Sequence, residues 1–188
     1  ALSLDKTINQ IRRLSEIYGP ERIIWRYDPI AHWIDNKTIS SNHNLKQFEE
    51  LCHQISHFGI QRCYFSFVYV YRKYENRFAK RFPKWQIYHP SLKEQLVIID
   101  EMAEISSKYN MVLYSCCNDS LLNHPKIKKG CCIDGNLLNE LDGTHKVSIA
   151  KAPSRQDCGC TRSIDIGNYL NQPCHYGCIY CYANPAGY

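Results

Sequence analysis

Apolar residues recur at intervals of three and four near the start of the chain, at Leu4, Ile8, Ile11, Leu14 and Ile17, which predicts an amphipathic helix. Gly19-Pro20 stops it, since proline cannot donate the next helical hydrogen bond and glycine tolerates the turn that ends a helix. Arg22 to Trp25 is short and apolar at its centre and reads as a buried strand. Helical spacing returns at Leu45, Phe48, Leu51, Cys52 and Ile55 and ends near Gly59. Cys63 to Tyr71, rich in aromatics and valine, reads as a second strand. Ser91 is placed to cap a third helix carrying Leu92, Leu96, Ile99, Met102 and Ile105, and Met111 to Ser115 follows as a strand.

Such alternation predicts parallel strands joined by right-handed crossovers, hence an α/β barrel or open sheet. From Cys116 onward the periodicity fades into glycine, proline and cysteine, with one short helix around Asn136 to Leu141. The chain therefore divides into a βα-repeat part, 1–115, and a Cys-rich irregular part, 116–188.

The chain's 188 residues suit one domain or slightly more, and 44% hydrophobic content supplies a core. No stretch approaches the roughly 18 consecutive apolar residues that cross a bilayer, and the first residues lack a basic-then-apolar leader, so no membrane association is expected. Eleven cysteines, nine of them from Cys116 onward as adjacent pairs and short-spaced groups, favour metal ligation in a reducing cytoplasm over a disulfide framework. The net charge of +5 is uneven: residues 72–85 interleave basic side chains with Tyr74, Phe78, Phe82 and Trp85. That mixture suits a nucleic-acid backbone and its bases; a solvated face with inward-packed rings is the simpler expectation. The absence of GxGxxG, P-loop and nucleophile-elbow patterns weighs against nucleotide hydrolysis and acyl transfer.

The sharpest signal is Cys174-His175-Tyr176-Gly177-Cys178-Ile179-Tyr180-Cys181, a CxxxCxxC triplet. Three thiolates leave one position of a four-coordinate site open, which marks a reactive centre. A zinc loop is the competing reading, but such loops usually bring a second CxxC pair. Gly177 would let the loop wrap tightly. This spacing, with an aromatic before the last cysteine, resembles the signature of the radical S-adenosylmethionine (radical SAM) enzymes. The resemblance implies that Cys174, Cys178 and Cys181 hold three irons of a four-iron four-sulfur cluster, while the fourth iron chelates S-adenosylmethionine (SAM).

Further segments, residues 24–30, Ser66-Phe67-Val68, Cys132-Ile133-Asp134, Cys158-Gly159-Cys160 and residues 163–167, followed by the triplet and Tyr182-Ala183-Asn184, resemble the bacterial family called domain of unknown function 1848, known for a radical-SAM-like cluster at its C-terminal end. A weaker similarity around the triplet runs to spore photoproduct lyase. The resemblance implies a partial (βα) barrel of radical SAM type. Its motif lies last rather than after the first strand, so a circularly permuted barrel is expected, with Ser163 to Ile166 as the strand delivering the loop. The remaining barrel strands would come from a preceding N-terminal portion. The implied activity is reductive SAM cleavage, with a flavodoxin or ferredoxin as electron donor. The alternative is a non-catalytic zinc or iron-sulfur module that binds nucleic acid.

Six more cysteines, Cys116, Cys117, Cys131, Cys132, Cys158 and Cys160, exceed the needs of one three-cysteine site and are candidate ligands of a second iron-sulfur cluster, with structural zinc or free thiols as alternatives. Cys52 and Cys63 read as small hydrophobes. Arg26 and Asp28, expected just past the first strand, would grip SAM or substrate or form an ion pair before Pro29, and Ser66 is a weaker candidate for the same site. Asp165 is expected to support the cluster loop, and His175 to be an exposed loop residue.

Overall fold

A computed structural model describes residues 3–143, 146–153, 156–164, 166–167, 171–172, 174 and 176–181. Helix α1 (Leu4–Tyr18) ends where Gly19 turns with φ of 89° and its N–H reaches the Ser15 carbonyl at 2.9 Å. A 3-10 turn (Pro20–Arg22) follows, and strand β1 runs over Trp25–Ile30. The strand thus begins where the sequence pattern had it ending, because Pro20 opens the turn and holds Arg22 out of extended geometry. Arg26 and Asp28 consequently lie within the strand rather than beyond it.

Two elements carry no mark in the sequence reading: strands β2 (His32–Asp35) and β3 (Thr38–Ser41) form an antiparallel hairpin. Asn36 and Lys37, with φ of 48° and 72°, make its two-residue turn, the positive-φ geometry that matches strand twist. Helix α2 (Leu45–Ser56) is capped by Asn44, whose side chain accepts the Gln47 N–H at 2.9 Å. Strand β4 (Arg62–Phe67) stops four residues before the expected Tyr71, which caps helix α3 (Arg72–Arg81) instead. Strand β5 (Gln86–Tyr88) joins the hairpin in the order β3-β2-β5. Helix α4 (Leu92–Lys108) begins with a reciprocal box between Ser91 and Glu94. Strand β6 (Val112–Ser115), a second 3-10 turn (Asp119–Asn123), strand β7 (Ile127–Lys129) and helix α5 (Gly135–Asp142) complete the elements.

Strands β1, β4, β6 and β7 form a parallel sheet in that order. Among the described residues it stays open, with β1 and β7 at its edges and no barrel closure. Its fourth strand is Ile127–Lys129 and not Ser163 to Ile166: Ser163, Ile164 and Ile166 belong to no strand, and Ile164 and Ile166 are exposed. Among the described residues no strand pairs with them. Asp165 lies outside the described residues.

Alternation along the strands gives the sheet two unlike faces. Trp25, Cys63, Phe65, Leu113 and Ile127 share a continuous core with Phe48, Leu51, Cys52 and Ile55 of α2 and Ile99, Met102 and Ala103 of α4. Cys52 and Cys63 are wholly buried there, as expected of small hydrophobes. On the other face Arg26, Tyr64, Tyr114 and Lys128 stand in register, outside the core shared with α2 and α4. The loop after β7 covers Tyr64. A side chain at Gly130 would meet the Ser115 carbonyl at 3.0 Å and the Tyr64 ring at 3.3 Å. Tyr64 and Tyr114 stack at 4.9 Å.

Glu94 accepts from the Ser91 hydroxyl at 2.6 Å, the Ser91 N–H at 2.7 Å and the Tyr88 hydroxyl at 2.6 Å, which ties α4 to the antiparallel sheet. The Ser91 hydroxyl first, and then that of Tyr88, hold its carboxyl down at about 2. A depressed carboxyl stabilises the fold above its ordinary value of 4.5, and this is lost as pH falls through about 2. Glu94→Gln is expected to lower the urea midpoint at pH 7, with the gap to the parent closing towards pH 2. Parallel midpoints across that range would contradict the assignment.

Candidate metal centres at the C-terminal edge of the sheet

Two residues further along that face the row becomes Ser66, Cys116 and Gly130, with Asp28 reached by Ser66 at 3.4 Å where the pairing of β1 is irregular, at the end where parallel α/β sheets bind their ligands. Cys116 extends the ladder, its N–H donating to the Phe65 carbonyl at 2.9 Å, and the Gly130 N–H donates to Ser115 at 2.7 Å. Just beyond, Cys117 takes the left-handed conformation at φ of 56°, which swings the chain off the sheet with its sulfur 3.9 Å from that of Cys116.

The segment carrying Cys158 and Cys160 is pinned beside this edge. Thr161 pairs with Lys151, its N–H donates to Ile133 at 2.9 Å, and its hydroxyl accepts from Gly135 at 3.0 Å. Gly135 has no room for a side chain, since a Cβ there would lie 2.3 Å from the Ser148 carbonyl. Gly159 is closed in the same way by the Cys131 sulfur, 2.5 Å from where its Cβ would stand. Six cysteines from three separate stretches of chain therefore meet at one place.

Their contacts are sulfur to sulfur and sulfur to guanidinium. Cys116 and Cys132 approach to 3.3 Å, Cys132 also contacts Cys160, and Cys160 contacts Cys158. Arg26 donates from Nη1 to the Cys132 sulfur at 2.8 Å and pairs with Asp28 at 2.5 Å and 3.1 Å; Ser66 reaches Asp28 at 3.4 Å. The Cys116 hydrogen bond, and after it Arg26, pull the Cys132 thiol down to about 5 against the effect of burial. Cys116 is raised by the same bond and by burial, so the pair shares one proton with the negative charge on Cys132. Burial pushes Cys160 up to about 11 and also raises Cys131. Among the described residues no three His, Cys, Asp or Glu side chains are arranged round one point as ligands of a single metal ion.

The triplet is held elsewhere at the same edge. Tyr180 packs edge-on against Tyr71 and Tyr74, with ring centres 6.0 Å and 5.9 Å apart, at the start of the helix that leaves β4. Arg77, one turn on, donates to the Cys181 carbonyl. The Cys181 N–H closes a turn onto Cys178 at 3.0 Å, and Gly177 has φ of 60°, the left-handed geometry that glycine was expected to supply. Cys178 is exposed, and Cys174 and Cys181 are half-buried. An all-thiol set of this spacing, open to solvent, fits a soft metal or an iron-sulfur cluster. His175 and Tyr182-Ala183-Asn184 lie outside the described residues.

The structure brings Arg26, Asp28 and Ser66 together as an ion-paired group that touches the six-cysteine site. Arg26 and Asp28 also line a groove of about 290 Å³ between α1 and β1; Ser66 does not. The rings of residues 72–85 pack inward: Tyr74 and Phe78 are buried, and Phe82 stacks on Trp85 at 4.4 Å. Arg77 and Tyr71 went unrecognised as anchors of the triplet. Their role depends on a contact across about a hundred residues, although the aromatic-basic run containing Arg77 was visible.

These features define a thiol-rich α/β protein whose chemistry-bearing side chains gather at one edge of a parallel sheet. The chain belongs to the family described as domain of unknown function (DUF1848), which it matches over residues 1–183. No curated protein and no solved structure matches it. Among the described residues no helix is long and apolar enough to cross a membrane.

Reactivity follows thiolate character and access. Burial raises the Cys52 thiol to about 12 and Cys63 well above its ordinary value. Iodoacetamide at pH 7 on the metal-free chain is expected to label exposed Cys132 and Cys178 and to spare Cys52 and Cys63 until urea is added. Peptide mass spectrometry reads the outcome, and labelling of Cys52 or Cys63 in the folded chain would count against this core.

Proposed function

We propose that the protein is a radical SAM-type enzyme whose four-iron four-sulfur cluster is held by Cys174, Cys178 and Cys181. The observation that carries this reading is the ordered turn from Cys178 to Cys181, docked through Tyr180 and the Cys181 carbonyl at the C-terminal side of β4. Such a cluster, when bound, supplies one electron to the sulfonium of SAM and so starts radical chemistry on a substrate. The open parallel sheet then corresponds to part of a (βα) barrel, with its inner face towards the cysteines.

The chain's own residues bind, orient and exclude water. Arg77 fixes the last ligand's backbone, and the rings of Tyr71, Tyr74 and Tyr180 form a dry wall behind it. The groove beside Arg26 and Asp28 offers one cation and one carboxylate, complementary to the carboxylate, amine and ribose hydroxyls of SAM or to a polar substrate. A flavodoxin or ferredoxin serves as the electron donor, and the cytoplasm is the compartment that keeps these thiols reduced.

The test is anaerobic reconstitution with iron and sulfide, followed by reduction and assay of 5′-deoxyadenosine release from SAM. Release is expected only from the reduced protein, together with a change in the electron paramagnetic resonance signal when SAM is added. Cys178→Ala should bring release to background. Full release by that variant would remove the assigned ligand set.

A further inference from the structure

The six cysteines of the sheet edge play no part in that chemistry, and their assembly calls for its own account. They arrive from the end of β6, the end of β7 and the stretch around Gly159, and each delivery depends on a feature that a merely apolar thiol would not need. Cys117 sits in the left-handed region, Gly159 lacks the side chain that would strike Cys131, and Thr161 bonds both Ile133 and Gly135. Buried polar groups on this face would be costly without partners. Here the thiols partner one another, and Arg26 donates to one of them. Lys129 supplies a second cation nearby, its stem 3.1 Å from where a Gly159 Cβ would stand, and pairs with Asp119 at 2.5 Å.

We propose that Cys116, Cys132, Cys158 and Cys160 ligate a second iron-sulfur cluster, distinct from the one assigned to the triplet, with Arg26 as a hydrogen-bond donor to it. Cys117 and Cys131 flank this set. The 3.3 Å separation of Cys116 and Cys132 is shorter than two sulfurs bound to different irons of one cluster can adopt, so binding moves them apart. The contacts run from Cys116 to Cys132, Cys160 and Cys158 in a line, which suits a multinuclear cluster, whose ligands each bond a different iron, better than a lone zinc ion. Four thiolates also close the cluster, leaving no open metal position. Arg26 is then a positioning residue: its cation and its N–H to the Cys132 sulfur raise the cluster's reduction potential.

The experiment counts metal rather than SAM cleavage, so it fails or succeeds independently of the proposed activity. A variant with Cys174, Cys178 and Cys181 all changed to Ser is reconstituted anaerobically and assayed for iron, sulfide and zinc. About four irons and four sulfides per chain are expected to remain, with a reducible iron-sulfur spectrum. No iron in a chain whose circular dichroism matches the parent, or zinc in place of iron, overturns the proposal. In the otherwise unaltered chain, which keeps the triplet, Cys132→Ser or Cys160→Ser should halve the iron content; an unchanged content overturns it as well. Arg26→Gln should retain the iron and lower the potential of the triplet-independent signal. An unmoved potential removes Arg26 from the site.

Discussion

The position of Ser115 opposite both Phe65 and Lys129 governs everything at the sheet's C-terminal edge. Because β4, β6 and β7 run parallel in this register, the chain leaves β6 and β7 at the same height, and each exit delivers an adjacent cysteine pair within three residues. The side-chain period of a strand is two, so a slip of one residue would turn Cys116 towards α2 and α4 and bring Phe65 out of the core. The apolar face therefore enforces the placement of the thiols. Phe65, Leu113 and Ile127 cannot leave the core without a loss of order 2 kcal/mol each.

Charge at that edge is balanced locally. Arg26 lies between the Asp28 carboxylate and the Cys132 sulfur, and Ser66 adds a weaker bond to Asp28. A half-buried guanidinium with a single anion is neutral overall, and here Arg26 also donates to a sulfur. The strand carries both Arg26 and Asp28, so this pairing is built in wherever β1 adds to β4. The ion pair and the thiol contact are one arrangement, and Arg26 cannot grip a ligand in the groove without loosening its hold on Cys132.

The sequence foreshadowed what depends on local chemistry. Gly19 ends α1, Ser91 caps α4, and Asn136 to Leu141 is helical, because caps and 3.6-residue periods are decided within a few residues. The antiparallel sheet escaped notice because β2 and β5 pair across about fifty residues and β5 has three. Asn36 at positive φ was its one local sign. Strand β7 is equally short and carries two exposed lysines, so no apolar run marks it; Ile164 and Ile166 alternate as strand residues would yet remain in solvent. Hydrophobic pattern finds strands only when they are long enough to show a period. For the cysteines, spacing identified the members of each set. Their convergence rests on Gly130, Gly135 and Gly159, whose missing side chains matter only once another chain segment lies against them.

The two cysteine sets differ in how many donors they bring and how far they are shut away, and that difference decides what each can do. The triplet has three thiols, with Cys178 exposed, on a turn attached to α3 by one arginine and a pair of tyrosine contacts. A metal there keeps a coordination position that a small molecule can reach. The other set has more than four thiols, with Cys116 and Cys158 buried. On the proposed reading a metal centre there is saturated by protein sulfur even though Cys132 is exposed, which favours electron storage or structural support over substrate binding. Both sets rise from the same edge of one sheet, so on the proposed reading the reactive centre and the closed one share a scaffold that fixes their separation.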